Sequence, residues 1–394
     1  MPVELNKIPA KEPSPKAPNK ITWFIVTIFI AVVWIICTLF FWPNSISTNT
    51  AWFWFCIIAV PFLVGGGCYA CRLHFFENER DRIAWWNHLH QEQYDRQVLH
   101  GQRAVAILGK AYITPGACNK LASVLVQGNC MLQSYFSPHR QATVTSARLA
   151  AGSDIFTFEK YRQRLAHYVE NIIKMLKPEL DNIDEPLSIR LRHDGSLEDE
   201  QILSVWQQIF PSTYSVAAIN LFVQDDGLMW LDTWLDSNDV NVMLSVEINL
   251  FLDDRDNQSE SVSALLLASP EWQENHTATV IANVHRPVMD EGQSNTVEDT
   301  ALWGRLTRGE AFTLWRVQLK DKAMGEILQK MERSGYLPGL QNDYLLDDLF
   351  GKPGAAVGNI ALICASEHAQ TTGEAQWGVI QDVTPHQFIV RSVS

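Results

Sequence analysis

Residues 21–71 read ITWFIVTIFIAVVWIICTLFFWPNSISTNTAWFWFCIIAVPFLVGGGCYAC, and no Asp, Glu, Lys, Arg or His interrupts them. The stretch divides into an apolar run at 21–42, a short polar turn at 43–50 and a second apolar run at 51–71. A bilayer core of about 30 Å requires roughly 20 helical residues, so each run is long enough to cross once. Because the link is short, we predict an antiparallel transmembrane hairpin rather than a buried helical pair in a soluble protein.

The charges beside the hairpin predict its orientation. Four lysines precede the first run, three arginines follow the second, and the turn carries no charge; these residues are Lys7, Lys11, Lys16, Lys20, Arg72, Arg80 and Arg82. Positive charge is retained on the cytoplasmic side of a membrane. We therefore expect both termini, and everything after the hairpin, to be cytoplasmic.

The segments on either side of the hairpin differ in composition. Residues 1–20 contain five prolines and few large apolar side chains, which predicts a disordered tail. Residues 72–101 contain no Pro and no Gly before Gly101, and Ile83, Trp86 and Leu89 recur at roughly helical spacing. We predict a connector helix at 72–101 that leads into a body at 102–394.

The body alternates short apolar runs with helical patterns. We predict buried strands at 104–108 and 216–223, further strands at 241–250 and 263–268, and a closing strand pair at 378–383 and 387–393. Short apolar strands interleaved with helices are typical of an α/β fold whose sheet is covered on both sides. The length allows two subdomains, which we place at 102–212 and 213–394.

The charge of the body restricts its partners. The formal net charge of the chain is −13, and residues 1–71 hold four Lys and two Glu, so about −15 falls on the remainder. An acidic body disfavours nucleic acid and anionic lipid, and favours a protein partner with a basic surface.

Few motifs in this sequence point to chemistry. It has no G-x-G-x-x-G, no P-loop, no H-E-x-x-H and no G-x-S-x-G. The acidic run at 253–260 fails as a calcium loop because Ser259 and Leu265 stand where Gly and Glu are required. The cysteines of the body, Cys118, Cys130 and Cys364, form neither a zinc motif nor a disulfide framework. We predict no catalytic residue, no cofactor and no metal site.

One acidic segment is interleaved with tryptophan. It contains Asp225, Asp226, Asp232, Asp236 and Asp239 together with Trp230 and Trp234. Aromatic side chains among carboxylates suit a protein partner with apolar pockets surrounded by Lys or Arg. We predict a protein-binding surface at Trp230, Asp232, Trp234 and Asp236, which would share one face of an extended segment or cluster at the rim of a loop. The alternatives are that both tryptophans belong to the core, or that the carboxylates form an active site.

The second half of the chain resembles the thiolase-like, β-ketoacyl-synthase group. Residues 259–269, SESVSALLLAS, are similar to its G-E-G-A-x-A-L-x-L strand without the glycines, and residues 351–365, GKPGAAVGNIALICA, resemble its G-H-x-G-A-A-x-G segment. The resemblance implies a thiolase-like fold. It also implies a nucleophilic cysteine, yet no cysteine lies between Cys130 and Cys364, and Lys352 replaces the histidine. We therefore expect a thiolase-like body that has lost acyl-transfer chemistry.

The overall layout also resembles the type VI secretion lipase adapter proteins. This resemblance implies a non-enzymatic adaptor in the bacterial inner membrane that binds a lipase effector and helps load it onto the secretion spike protein. Two alternatives stay open: a membrane-associated enzyme that acts on acyl or lipid substrates, and a structural subunit of an inner-membrane assembly.

Overall fold

The computed structural model describes residues 5, 8–43, 47–149, 157–237, 241–290, 295–339 and 342–393. The chain divides into two compact units, Val3–Gln97 and Val98–Ser394. The first holds the predicted anchor and the second holds the body.

The anchor contains long apolar helices. Helix α1 (Lys20–Phe41) begins where the Asn19 side chain accepts a hydrogen bond from the backbone N–H of Ile21. Helix α2 (Ala51–Trp54) continues through a π-helical turn at Phe55–Ala59 into α3 (Val60–Gly101). The predicted connector is therefore continuous with the second apolar run. The helices at Lys20–Phe41 and Ala51–Gly101 are long and apolar enough to cross a membrane.

Paired contacts make these helices an antiparallel hairpin. The rings of Trp23 and Tyr69 lie 5.9 Å apart, and Trp34 Nε1 donates to the carbonyl of Cys56 at 3.0 Å. A Cβ atom at Gly65 would lie 2.6 Å from Thr27 Cγ2, so the glycine permits close approach of the helices. Residues 44–46 of the predicted turn lie outside the described residues.

The predicted tail has no helix or strand over residues 9–19. The Glu12 backbone N–H donates to Asn87 Oδ1 at 3.0 Å, and its carboxylate pairs with Arg82 at 2.8 Å. Disorder of residues 1–20 stays a prediction.

The body is a mixed α/β structure, as predicted. Its strands are β1 (Ala104–Ile113), β2 (Gln133–Ser137), β3 (Ala142–Ala147), β4 (Leu187–His193), β5 (Val216–Phe222), β6 (Val242–Asn249), β7 (Gln258–Ser259), β8 (Ser261–Ala268), β9 (Ala282–His285), β10 (Val288–Met289), β11 (Phe312–Val317), β12 (Asp343–Leu345), β13 (Ala375–Gln381) and β14 (Pro385–Ser392). Its helices are α4 (Leu121–Val126), α5 (Phe158–Leu180), α6 (Asp199–Ile209), α7 (Trp230–Asp236), α8 (Pro270–Asn275), α9 (Thr296–Trp303), α10 (Asp321–Ser334), α11 (Leu346–Leu349) and α12 (Val357–Thr372).

The large sheet consists of two halves with one topology. The spatial order is β12-β11-β13-β14-β9-β1-β8-β6-β4-β5. Each half contributes five of these strands, which we number one to five in chain order within that half. From the outer edge of the sheet to its centre, both halves then have the order third, second, fourth, fifth, first. In both halves the second strand is parallel to the third and fourth, and the fifth is antiparallel to its neighbours. The antiparallel pair of β1 and β9 joins the halves.

The N-terminal half is Ala104–Ala268 and the C-terminal half is Ala282–Ser392. The predicted subdomain boundary at 212 and 213 is wrong as a division of the sheet. It falls between β4 and β5, which are paired strands of the N-terminal half.

The sheet is covered on both faces, as predicted. Val105 and Ile107 of β1 belong to a core cluster with α7 and α12, whereas Ala106 and Leu108 belong to a cluster with α5 and α6. This division follows from the period of two along a strand. On α5, Leu165, Val169 and Ile172 recur every three or four residues and form one buried face.

Two strand predictions require correction. Strand β1 does not end before Gly109 but continues to Ile113, with an irregularity in register between Ile107 and Gly109. Strand β5 was predicted to be buried, but it is the outermost strand and is largely exposed. The apolar sequence of β5 would suit a central strand equally well. The strand order places β5 at the edge of the sheet, and this position leaves it exposed.

Candidate functional site

The site lies where the two halves present equivalent loops. In each half the third strand leads to a loop and then to the helix that precedes the fourth strand. These loops are residues 223–229, before α7, and residues 350–356, before α12. Side chains from β4, β6, α12 and the turn between β13 and β14 meet the first loop.

Arg190 of β4 is the centre of the first group of contacts. Its guanidinium pairs with Asp225 and, at 3.2 Å, with Glu247 of β6. The same guanidinium lies 4.7 Å from the centre of the Trp230 ring. Arg190 and Glu247 are both buried. A buried charge is tolerated only when it is paired and hydrogen bonded, and this arrangement supplies both conditions.

Arg192, two residues further along β4, forms the second group. It pairs with Asp382, which also accepts a hydrogen bond from the Gly227 backbone N–H at 3.2 Å. Asp226 accepts from the Thr384 backbone N–H at 3.1 Å and from the Thr384 hydroxyl. These contacts fix the first loop to the turn between β13 and β14.

His386 completes this connection as a neutral imidazole. The Leu228 backbone N–H donates to Nε2 at 3.0 Å, and Nδ1 donates to the Thr384 carbonyl at 3.2 Å. Burial lowers the pKa of His386, because the charged form would lose its hydration. Both ring nitrogens are occupied within the protein, so His386 has no free base to offer a substrate.

Glu247 also holds the beginning of α12. Its second oxygen accepts from the Asn359 backbone N–H at 2.7 Å. Burial raises the pKa of the Glu247 carboxyl, while Arg190 and Arg192 act in the opposite direction. A Cβ atom at Gly358 would lie 2.9 Å from this carboxylate, so a larger residue there would have to displace it.

Lys352 lies in the segment that resembles G-H-x-G-A-A, beside an open cleft. The cleft has a volume of about 490 Å³ and is lined mainly by polar side chains, among them Gln258, Gln318, Lys352 and Asp382. Lys352 is exposed, and its backbone N–H donates to the Asn257 carbonyl at 2.9 Å. The cleft offers little apolar surface for an acyl chain.

None of the three cysteines of the body lies among these groups. Cys118 and Cys130 are exposed, and Cys364 is buried within α12. Burial raises the pKa of the Cys364 thiol well above its usual value, which suppresses the reactive thiolate. In the part of the chain that the structure describes, no three His, Cys, Asp or Glu side chains are grouped to hold a metal ion.

The predicted Trp/Asp surface requires correction. Trp230, Asp232, Trp234 and Asp236 lie on a short helix, α7, not on an extended segment. Trp234 and Asp232 are each only 8% exposed. Buried Arg286 pairs with Asp232 and, at 2.7 Å, with Asp236. Trp234 therefore packs in the core, and the carboxylates of Asp232 and Asp236 neutralise Arg286. Asp239 lies outside the described residues.

Sequence reasoning missed the ion-pair network, although one signal was present. The segment LSIRLRH places two arginines two residues apart in an apolar strand, so both point to the same face. Their partners could not be located, because Asp382 is 190 residues from Arg192 in the chain.

The body is similar to solved ketosynthase structures. A type II polyketide ketosynthase complexed with its acyl-carrier protein covers 74% of this chain over 100% of its own, with a TM-score of 0.51 and 13% identity. A β-ketoacyl synthase from Burkholderia phymatum covers 74% of this chain over 100% of its own, with a TM-score of 0.50 and 12% identity. A ketosynthase of the bacillaene synthase from Bacillus subtilis covers 74% of this chain over 70% of its own, with a TM-score of 0.50 and 11% identity. At this identity the likeness establishes a thiolase-like fold, as predicted, and no shared activity.

No family model matches the chain, and no curated protein matches it.

Proposed function

We propose that this protein is a membrane-anchored adaptor whose thiolase-like body binds a partner instead of transferring acyl groups. In this proposal the partner is a lipase-type effector, which the adaptor helps to load onto a type VI secretion spike. The identity of the partner rests on the resemblance of the chain layout to the type VI secretion lipase adapter proteins.

The observation that carries the proposal is the ion-paired centre of the fold. Arg190, Arg192, Glu247 and Asp382 neutralise one another there, and His386 bonds only to backbone groups. A Ser or Thr hydroxyl becomes an effective nucleophile when an adjacent base with an available lone pair takes its proton. The described loops at this centre, 223–229 and 350–356, contain no Ser, Thr or Cys, which supports a binding role for the body.

The first experiment tests the anchor. The full-length protein should stay in the membrane fraction after an alkaline carbonate wash, because each apolar helix is long enough to span the bilayer. Green fluorescent protein fused after Ser394 should fluoresce, and alkaline phosphatase fused at the same place should be inactive. An active phosphatase fusion would place the body on the opposite side of the membrane and contradict the proposal.

The second experiment tests the adaptor role. The full-length protein in mild detergent should bind a lipase encoded beside its gene, and deletion of the gene should abolish secretion of that lipase without lowering its synthesis. The control is a second, unrelated cargo of the same secretion system, whose export should not change. Normal secretion of the lipase in the deletion strain would contradict the proposal.

A membrane-associated enzyme for acyl substrates is the second candidate. The solvent-exposed Lys352 in the polar cleft favours it, as does the ketosynthase fold. Incubation of the full-length protein with radiolabelled acyl thioesters should then yield a product that Lys352→Met removes. If the Lys352→Met variant still forms the product, Lys352 has no role in the reaction. If neither protein forms a product, this cleft has no such activity.

A further inference from the structure

Residues 8–19, which we call the strap, are hydrogen bonded to the part of α3 that follows the apolar run. Their sequence, IPAKEPSPKAPN, contains four prolines. Glu12, Pro15 and Pro18 are half-buried, whereas the residues between them are exposed. A period of three is that of the polyproline II helix, in which every third residue shares a face. The strap therefore has the burial pattern of an extended proline-rich segment with one side against a surface.

The side chain of Asn87 binds the backbone of the strap at two atoms. The Glu12 N–H donates to Asn87 Oδ1 at 3.0 Å, and Asn87 Nδ2 donates to the Glu12 carbonyl at 2.9 Å. In an extended residue these two backbone groups point to the same side, so one amide side chain satisfies both, as a neighbouring strand would. Pro13 favours this geometry, because the residue before a proline is restricted to extended conformations. We call this pair of hydrogen bonds the clamp.

The clamp belongs to one face of α3. Ile83, Asn87 and Gln91 recur every four residues and lie on the same side of the helix. Gln91 Oε1 accepts a hydrogen bond from Lys11 Nζ at 2.6 Å, one residue before the clamp in the strap. Ile83 is only 7% exposed. Burial in this stretch of α3 is therefore concentrated on the face that carries the clamp.

The opposite face of α3 shows what the strap supplies. Trp85 and Leu89 are 64% and 42% exposed. A helix that stands alone in water is only marginally stable, because most helical stability in proteins comes from packing. The ion pair of Arg82 with Glu12, at 2.8 Å, is exposed to solvent and contributes little. The stabilising contacts of this stretch are therefore the clamp and the buried surface around Ile83.

We propose that the face of α3 formed by Ile83, Asn87 and Gln91 is a binding site for an extended, proline-containing segment, and that the strap is its ligand within the chain. Occupation of this site keeps residues 79–93 of α3 helical, and release of the strap loosens them. The inference concerns the anchor unit alone and is independent of the adaptor function.

The first test measures the clamp in the full-length protein in mild detergent. Asn87→Leu removes both hydrogen bonds but keeps the size of the side chain and a high helix propensity. Tryptic cleavage after Lys11 should become about tenfold faster in this variant, because two hydrogen bonds are lost. Hydrogen–deuterium exchange over residues 79–93 should also accelerate. Asn78→Leu, the same change at an exposed position of α3, should leave both rates unchanged.

The second test supplies the strap as a separate peptide. In a full-length variant whose residues 8–18 are replaced by Gly and Ser, a fluorescein-labelled peptide of residues 5–19 should bind with a rise in anisotropy. Affinity should fall at least tenfold when that variant also carries Asn87→Leu. The unmodified protein should bind the peptide far more weakly, because its own strap occupies the site.

Three results would overturn the inference. Equal cleavage after Lys11 in the unmodified protein and Asn87→Leu would show that the clamp does not hold the strap. Unchanged exchange over residues 79–93 in Asn87→Leu would show that the strap does not stabilise the helix. Peptide binding that is independent of Asn87, or equally tight in the unmodified protein, would place the peptide at another surface. Near-ultraviolet circular dichroism of every variant checks that the body stays folded.

Discussion

The N-terminal and C-terminal halves of the body share one strand order but differ in the helix that follows the third strand. In the C-terminal half this helix, α12, has 16 residues, and most of them are buried and apolar. In the N-terminal half its equivalent, α7, has seven residues, and Asp232 and Asp236 on it neutralise Arg286. The comparison shows that paired strands and their apolar faces maintain the topology, while the helix and its preceding loop are free to diverge.

The second strands of the two halves differ in a related way. Strand β4 directs Arg190 and Arg192 into buried ion pairs, whereas β11 buries Trp315 and leaves Arg316 partly exposed. The centre of the N-terminal half is therefore stabilised by charge and that of the C-terminal half by apolar packing. The predictions below separate these two contributions, in order of decreasing effect.

The largest effect is expected from Arg190→Ala, because the buried Glu247 carboxylate would lose the guanidinium with which it is paired. We expect a loss of about 3–5 kcal/mol in the free energy of unfolding. The matched change in the other half, Arg316→Ala, removes a partly exposed pair and should cost about 1 kcal/mol or less. Denaturant unfolding of the full-length protein in mild detergent, followed by tryptophan fluorescence, measures both. Equal losses would remove the distinction between the halves, and Glu247→Gln should partly rescue Arg190→Ala.

The second prediction concerns pH and His285, on the first strand of the C-terminal half. Burial, with Arg391 and Arg305 nearby, lowers the pKa of His285 from 6.5 to about 4. Between these values the unfolded chain binds more protons than the folded chain, so stability present above about pH 6.5 is lost as the pH falls towards 4. The full loss is about 3 kcal/mol.

His285→Gln should therefore flatten the dependence of the unfolding midpoint on pH in this window. The control His139→Gln, at an exposed position, should leave the profile unchanged. An unaltered slope in His285→Gln would show that other groups cause the acid sensitivity.

The third prediction tests the close approach of Gly358 to Glu247. Gly358→Ala would force an atom to within 2.9 Å of the buried carboxylate and should cost about 1–3 kcal/mol. Gly325→Ala, within α10, meets nothing within 4 Å and should stabilise the protein by about 0.5–1 kcal/mol. Thermal melting of both variants provides the measurement. A neutral Gly358→Ala would mean that Glu247 can move, contrary to a fixed ion-pair centre.

The last prediction concerns the cysteines, and the two exposed ones should give the smallest effects of all. Cys364→Ser places a hydroxyl in an apolar environment and should cost about 1–3 kcal/mol, whereas Cys118→Ser and Cys130→Ser should change stability by less than about 0.5 kcal/mol. All three variants should keep the biological activity, scored as lipase secretion. Loss of secretion in a variant with an unchanged melting temperature would favour the enzyme over the adaptor.

Local composition was sufficient to predict several elements of this fold. The charge-free run at 21–71 predicted a helical hairpin, since only a helix satisfies the backbone of such a segment internally. Residues 263–268, SALLLA, predicted a strand because short apolar runs are typical of sheets covered on both faces, and the structure extends this strand to Ser261–Ala268. The departures from the family pattern, Lys352 and the missing cysteine, were also visible without coordinates.

Long-range arrangement decided the rest. The sequence VAAINLF is equally compatible with a central strand and an edge strand, and the strand order placed it at the edge. Asp232 and Trp234 were predicted as surface residues, but Asp232 pairs with Arg286, 54 residues further along the chain, and Trp234 packs in the apolar core. The sequence determined which segments are apolar and how they repeat, because these are local properties. The tertiary structure alone decided which charges meet, because ion pairs between distant residues depend on how the strands are ordered.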